Sequence, residues 1–165
     1  MPTQLSDSEI QALLAESKQL PPDFEVRLRP KPKSGHEEAE IDVPGAGGAG
    51  GSAFRLIIRR SLSNPLDFSV ILAYHPADSN ILFRLRRYNG KSHEHSNRLE
   101  GESFYEFHRH TATERYQEAG FREDTFAETD KRFADLHEAM SCLFEDCGFQ
   151  LPRGRQLRLF GTRKP

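Results

Sequence analysis

A chain of 165 residues, 36% of them hydrophobic and twelve of them Phe, has enough apolar mass for one domain with its own core, which excludes a wholly disordered chain. Its longest apolar run, Phe68 to Tyr74, is too short to cross a bilayer, and the opening MPTQLSDSE lacks the basic and apolar regions of a signal peptide. The formal charge of −2 is uneven: residues 1–147 carry −7, whereas residues 148–165 hold five basic side chains (Arg153, Arg155, Arg158, Arg163, Lys164) and no acid.

The first element is a helix in LSDSEIQALLAES. Ser6 is placed as N-cap, Glu9 as its capping-box partner, and Ile10, Leu13 and Leu14 form one apolar stripe. Pro21 and Pro22 end it. The period then changes to two. FEVRLR sets Phe24, Val26 and Leu28 against Glu25, Arg27 and Arg29, and AEIDVP repeats the pattern with Ala39, Ile41 and Val43. Gly45 to Ser52 is so rich in glycine that it reads as a flexible hairpin loop. AFRLIIRRS is a strand with Phe54, Leu56 and Ile58 inward. FSVILAYH is nearly all apolar, so it belongs at the sheet centre. ILFRLRRY alternates, with Ile81, Phe83 and Leu85 inward and Arg84, Arg86 and Tyr88 outward. SFYEFHRHTAT reads as a last strand from its aromatic and threonine content, with a helix start as the alternative because Phe104, Phe107, His108 and Thr111 also have helical spacing.

TDKRFADLHEAMSCLFEDCGF is a helix with a stripe of Phe133, Leu136, Met140, Leu143, Phe144 and Cys147, capped by Thr129 or Asp130 and stopped at Gly148. Cys142 and Cys147 lie on different faces of that helix and are read as small core residues, which with the missing signal peptide points to a reducing, cytoplasmic setting. The expected fold is α+β: an antiparallel sheet of five to six strands packed by an N-terminal and a C-terminal helix. Residues 1–149 form the single domain, and residues 150–165 are a basic tail or an edge strand.

Three features bear on function. Four of the seven histidines, His93, His95, His108 and His110, form two H-x-H pairs within eighteen residues. On a strand, positions i and i+2 share a face, so each pair can converge on one metal or one phosphate. A divalent metal at these pairs is the alternative to having no cofactor. His93, His95 and Glu100 are similar to the H-x-H-x4-E core of the cupin metal motif. The metal-free alternative is a ribonuclease-like site, with His108 or His110 as general base and acid and Arg115 or Arg109 on the phosphate. A third alternative is ordinary polar-face histidines. These residues leave open whether the chain is an enzyme, a small His-dependent nuclease or phosphodiesterase being the enzymatic version.

The second feature is arginine on successive polar faces: Arg27, Arg29, Arg55, Arg59, Arg84 and Arg86, with Tyr88 available for stacking. On neighbouring strands they offer a surface for a phosphate backbone, or they pair across strands with Glu25, Glu40 and Asp42. The third is Gln156-Leu157-Arg158-Leu159-Phe160, which resembles the Q-L-x-L-F peptide by which bacterial replication and repair proteins dock on the DNA sliding clamp. The same residues alternate as an edge strand would. The leading expectation is thus a nucleic-acid-associated binding protein, with nucleic acid or a clamp as partner and no membrane. A non-enzymatic interaction or inhibitor module is the remaining class.

The stretch FHRHTATERYQEAG, with FAETDKRFADLHEAMSCLFEDCGF after it, resembles an uncharacterised family of small bacterial proteins with an F-H-x-H-x-A-T-E-like block. That family has no assigned activity, so the resemblance implies no catalytic role. It singles out Phe107, His108, His110, Thr113, Glu114 and Arg115.

Overall fold

A computed structural model of the chain describes residues 3–32, 34–47 and 51–151. In chain order the elements are α1 (Asp7–Ala15), β1 (Lys18–Gln19), β2 (Arg29–Pro30), β3 (His36–Pro44), β4 (Ala53–Ser61), β5 (Phe68–His75) and β6 (Phe83–Asn89). There follow β7 (His95–Asn97), β8 (Glu102–Phe104), β9 (His108–Thr111), α2 (Glu114–Glu118), β10 (Ala127–Thr129), α3 (Leu136–Asp146) and β11 (Phe149–Gln150). The main sheet has seven strands in the order β10-β9-β6-β5-β4-β3-β2, each antiparallel to its neighbour. This is the expected α+β arrangement with a wider sheet. No described helix is long and apolar enough to cross a membrane.

The local signals explain most elements. Ser6 Oγ accepts from the Glu9 amide at 3.1 Å and Glu9 Oε1 accepts from the Ser6 amide at 3.0 Å, which closes the capping box of α1. β5 is the middle strand, and its apolar run is buried on both faces: Val70 and Leu72 toward the helices, Ile71 and Ala73 on the other side. Phe24 and Val26 are buried as their alternation implies, but the strand is confined to Arg29–Pro30. α3 begins later than expected, with Asp135 as N-cap, because Asp130 is occupied by Arg109 and Arg132 at 3.0 and 2.8 Å. Gly148 ends it at φ 74°, where a Cβ would stand 2.8 Å from the Glu16 carbonyl oxygen. Gln150 pairs with Gln19 in the parallel β1–β11 pair.

One irregularity reassigns a whole strand. Leu72 pairs with Arg86 but Ala73 pairs with Arg84, so Leu85 is an extra residue in β6. The bulge reverses the alternation. Leu85, Arg86 and Tyr88 turn toward α3, and Arg84, Arg87 and Asn89 share the opposite face. The expected outward placement of Arg86 and Tyr88 is thereby corrected. Tyr88 is fully buried and donates to Asp146 at 2.5 Å, and Arg86 stands 3.8 Å from the same carboxylate. Ile81, expected inward, precedes the ladder and is exposed.

Lys18 closes the core between the helices. Its ammonium is buried and donates to the carbonyls of Leu13, Leu14, Glu16 and Cys147 at 2.8 to 3.2 Å, over the ring of Phe54 at 4.5 Å. Those carbonyls lie at the ends of α1 and α3, where a helix has no partners of its own for them. Burial lowers the Lys18 pKa to about 8, so the ammonium persists at neutral pH. Lys18→Met orphans these acceptors, and urea denaturation is expected to show a loss of roughly 2–4 kcal/mol.

Candidate metal centre

The pleat of β9 carries His108 and His110 on one face and Arg109 on the other. Register with β6 sets His108 opposite Asn89 and His110 opposite Arg87, so both histidines lie on the face away from α3. The β7–β8 hairpin folds over that end of the sheet. It is held by Asn97, fully buried, whose Nδ2 donates to the Ala127 carbonyl at 2.7 Å and whose Oδ1 accepts from the Ala127 amide at 3.0 Å. This clamp brings in His95. Its ring centre lies 5.2 Å from that of His108 and 4.8 Å from that of His110, and those two are 4.9 Å apart. One ring nitrogen from each histidine lies within 4.8 Å of the others.

The hydrogen bonds fix the tautomers. His108 Nδ1 is 2.7 Å from the Glu106 carbonyl and His110 Nδ1 is 2.8 Å from the Asp124 carbonyl. A carbonyl only accepts, so both Nδ1 atoms carry the proton and both Nε2 atoms keep a lone pair. His95 Nε2 lies 2.8 Å from Asn97 Oδ1, already an acceptor, so His95 donates there and Nδ1 is left with the lone pair. Metal-binding histidines are oriented in this way, by a partner on the second nitrogen.

Electrostatics keeps the rings neutral. Burial, with smaller contributions from His95 and Arg87, lowers His108 to about 4 against the opposing Glu106 hydrogen bond. Burial and then the Arg87 guanidinium lower His110 to about 2, and burial lowers His95. Neutral imidazole is the form that ligates metal. The ring centres are spaced as one ion requires, although nitrogens up to 4.8 Å apart would draw in to about 3.3 Å around it. An ion about 2 Å from each nitrogen sits about 3.2 Å from each ring centre, which places the centres about 5 Å apart. Beside the rings, Asp124 is fully buried. Arg87 Nε is 3.1 Å away, yet neither carboxylate oxygen receives a well-aligned hydrogen bond.

The other expected site residues lie elsewhere. His93 is exposed beside Ser92, and Glu100 is bound by Arg115 and the Tyr116 hydroxyl, so the H-x-H-x4-E set does not converge. Arg115 also lies over Phe126 at 4.6 Å, and Arg109 points away from the histidines to Asp130. A metal-free acid–base pair meets a physical obstacle, because rings with pKa values this low supply no proton near neutral pH. The arginines form no single free phosphate-binding face. Arg27 pairs with Glu25 at 3.3 Å, Arg55 with Asp42 at 3.0 Å and Arg59 with Glu38 at 2.8 Å, whereas Arg29 and Arg84 have no ion pair among the described residues. Gln156, Leu157, Leu159 and Phe160 lie outside the described residues.

Asn97, Arg87 and Asp124 adjoin the histidine cluster without a sequence motif to announce them. No protein-family model, curated protein or solved structure matches the chain.

The depressed histidines set a pH dependence in the metal-free protein. Unfolded imidazoles protonate near 6.5 while folded His108 stays neutral to about 4, so the unfolded state binds more protons in that window. The stability contribution is complete above 6.5 and is lost as pH falls toward 4. Urea midpoints measured across this range are expected to fall with acidification, and less steeply in His108→Gln.

Proposed function

We propose that this chain is a divalent-metal protein of the hydrolytic type, in which His95, His108 and His110 hold one transition-metal ion. The observation that supports it is the convergence of three neutral imidazoles, each pinned through its second nitrogen. Nitrogen-only donors suit zinc and its neighbours rather than magnesium or calcium. Among the described residues no fourth His, Cys, Asp or Glu joins the set, and both cysteines are buried in or just after α3. Three protein ligands with one position left to water is the pattern of catalytic rather than structural zinc. Zinc in such a site makes bound water acidic enough to be a nucleophile near neutral pH. Arg87, 3.4 Å from His110, supplies the cation that a phosphodiester or other anionic group would meet there.

Isothermal titration of the metal-free full chain with Zn²⁺, and the visible spectrum of the Co²⁺ form, test this directly. One tight site with tetrahedral cobalt absorption is expected. His108→Ala and His110→Ala should abolish it, and Asn97→Ala should weaken it about 10- to 100-fold through loss of His95 positioning. Absence of a saturable site, or unchanged affinity in both His variants with circular dichroism showing the fold retained, rules the proposal out. Hydrolysis of bis(p-nitrophenyl) phosphate by the loaded protein, suppressed by chelator, tests the hydrolytic part.

A second reading rests on the five basic residues and no acid in residues 148–165: association with nucleic acid or a sliding clamp through the tail. The full chain should bind single-stranded DNA with a steep salt dependence that a chain ending at Leu151 lacks. Equal affinity of the two chains would remove the tail from that role.

A further inference from the structure

The face that carries the histidines also carries Arg84. We infer that Arg84 and Arg122 form a binding site for a small organic anion, a phosphate monoester or carboxylate with an apolar body. A cavity of about 330 Å³ is lined by Ile57 of β4, Phe83 and Arg84 of β6, and Ile81, Arg122 and Glu123 among others. Its size is within the range of small-molecule sites, about 300–1,000 Å³. Neither guanidinium has an ion-pair partner among the described residues, whereas Arg55, Arg59 and Arg87 on the same sheet face are each paired with a carboxylate. The one carboxylate lining the cavity, Glu123, already accepts from the Arg84 backbone amide at 3.0 Å. Two guanidinium groups against one carboxylate leave the cavity net positive.

This pairing pattern is what an anion site requires. Arg84 is half-buried, and after burial the nearby Arg122 is the largest influence disfavouring its charge. Two arginines held close without a counterion repel, and an anion between them relieves the repulsion through bidentate, charge-assisted hydrogen bonds. Ile57 and Ile81 form an apolar wall beside the charges, with Ile81 exposed at the rim. That wall selects an anion with an apolar body over bare phosphate. The bulge in β6 creates the arrangement, since it places Arg84 on this face while sending Arg86 to the other. The inference stands without the metal centre.

The test is thermal denaturation of the full chain, held metal-free by chelator, with phenyl phosphate, benzoate and inorganic phosphate. Phenyl phosphate or benzoate is expected to raise the midpoint saturably and at lower concentration than inorganic phosphate, and the stronger of the two identifies the head group. Arg84→Gln and Arg122→Gln should each weaken the apparent affinity about tenfold or more. Arg122 is exposed, so its substitution leaves the fold intact and keeps the test decisive. No saturable shift with either organic anion, or an Arg122→Gln response equal to that of the unchanged chain, overturns the inference. Inorganic phosphate acting as strongly as phenyl phosphate overturns the apolar part of the ligand assignment.

Discussion

A single extra residue in β6 decides what each face of the sheet does. Because strand side chains alternate with a period of two, one inserted residue exchanges the faces of everything beyond it. Without the Leu85 bulge, Arg84, Arg86 and Tyr88 would share one face and Leu85 and Arg87 the other. Tyr88 would then leave the core, where it now packs edge-on against Phe133 at 5.8 Å. Arg87 would leave the side of the sheet that His110 occupies, and Asp124 would lose its nearest cation. The aromatic core and the polar site thus depend on the same backbone irregularity, which is a common use of bulges beside functional groups.

The two faces then follow different physics. On the helix side, apolar burial dominates, and the buried polar groups are answered at close range: Lys18 by four carbonyls, Asp146 by Tyr88 and Arg132, Asp130 by Arg109 and Arg132. Such networks make the packing specific, because a partner removed from one of them leaves a buried charge unanswered. On the opposite side, the end formed by β3 and β4 is a surface of cross-strand ion pairs, Arg55 with Asp42 and Arg59 with Glu38. Exposed pairs of this kind stabilise little and leave few free charges for a partner. Toward β6 and β9 the pairing gives way to three neutral histidines, a carboxylate short of donors and two arginines without an ion pair among the described residues.

How much of this was legible in the sequence follows from the range of the interactions. The capping box of α1, the doubly buried β5 and the glycine stop of α3 are local, and local patterns predict them. The start of α3 was not, because Asp130 has two arginine partners, one of them twenty-one residues away, that outweigh its tendency to cap. The β6 alternation failed for a similar reason: eight residues of clean pattern contain no sign of a bulge that arises from pairing with Leu72 and Ala73. For the site, spacing correctly set His108 and His110 side by side, but it proposed His93 and His95 as a second pair. Asn97 selects between them by fastening the hairpin to Ala127, a link across thirty residues that brings His95 inward and leaves His93 in solvent.

On the proposed reading, a metal accounts for features of the histidine cluster that packing alone does not require. Burying three imidazoles beside a guanidinium disfavours any protonated ring, and burial also limits the rings to the few hydrogen bonds their neighbours supply. A core selected only for stability would fill this volume with apolar side chains, since replacing half-satisfied buried polar groups by hydrocarbon is neutral or favourable. Here every ring keeps one nitrogen bonded and the other with its lone pair, and Asp124 adds a negative charge whose ion-pair partner, Arg87, is poorly aligned. If the free nitrogens of the three rings face one another as proposed, a cation in the volume between them would lower the energy of every group around it except Arg87. The Asp124 pairing keeps Arg87 close to that volume and prevents its charge from acting at full strength.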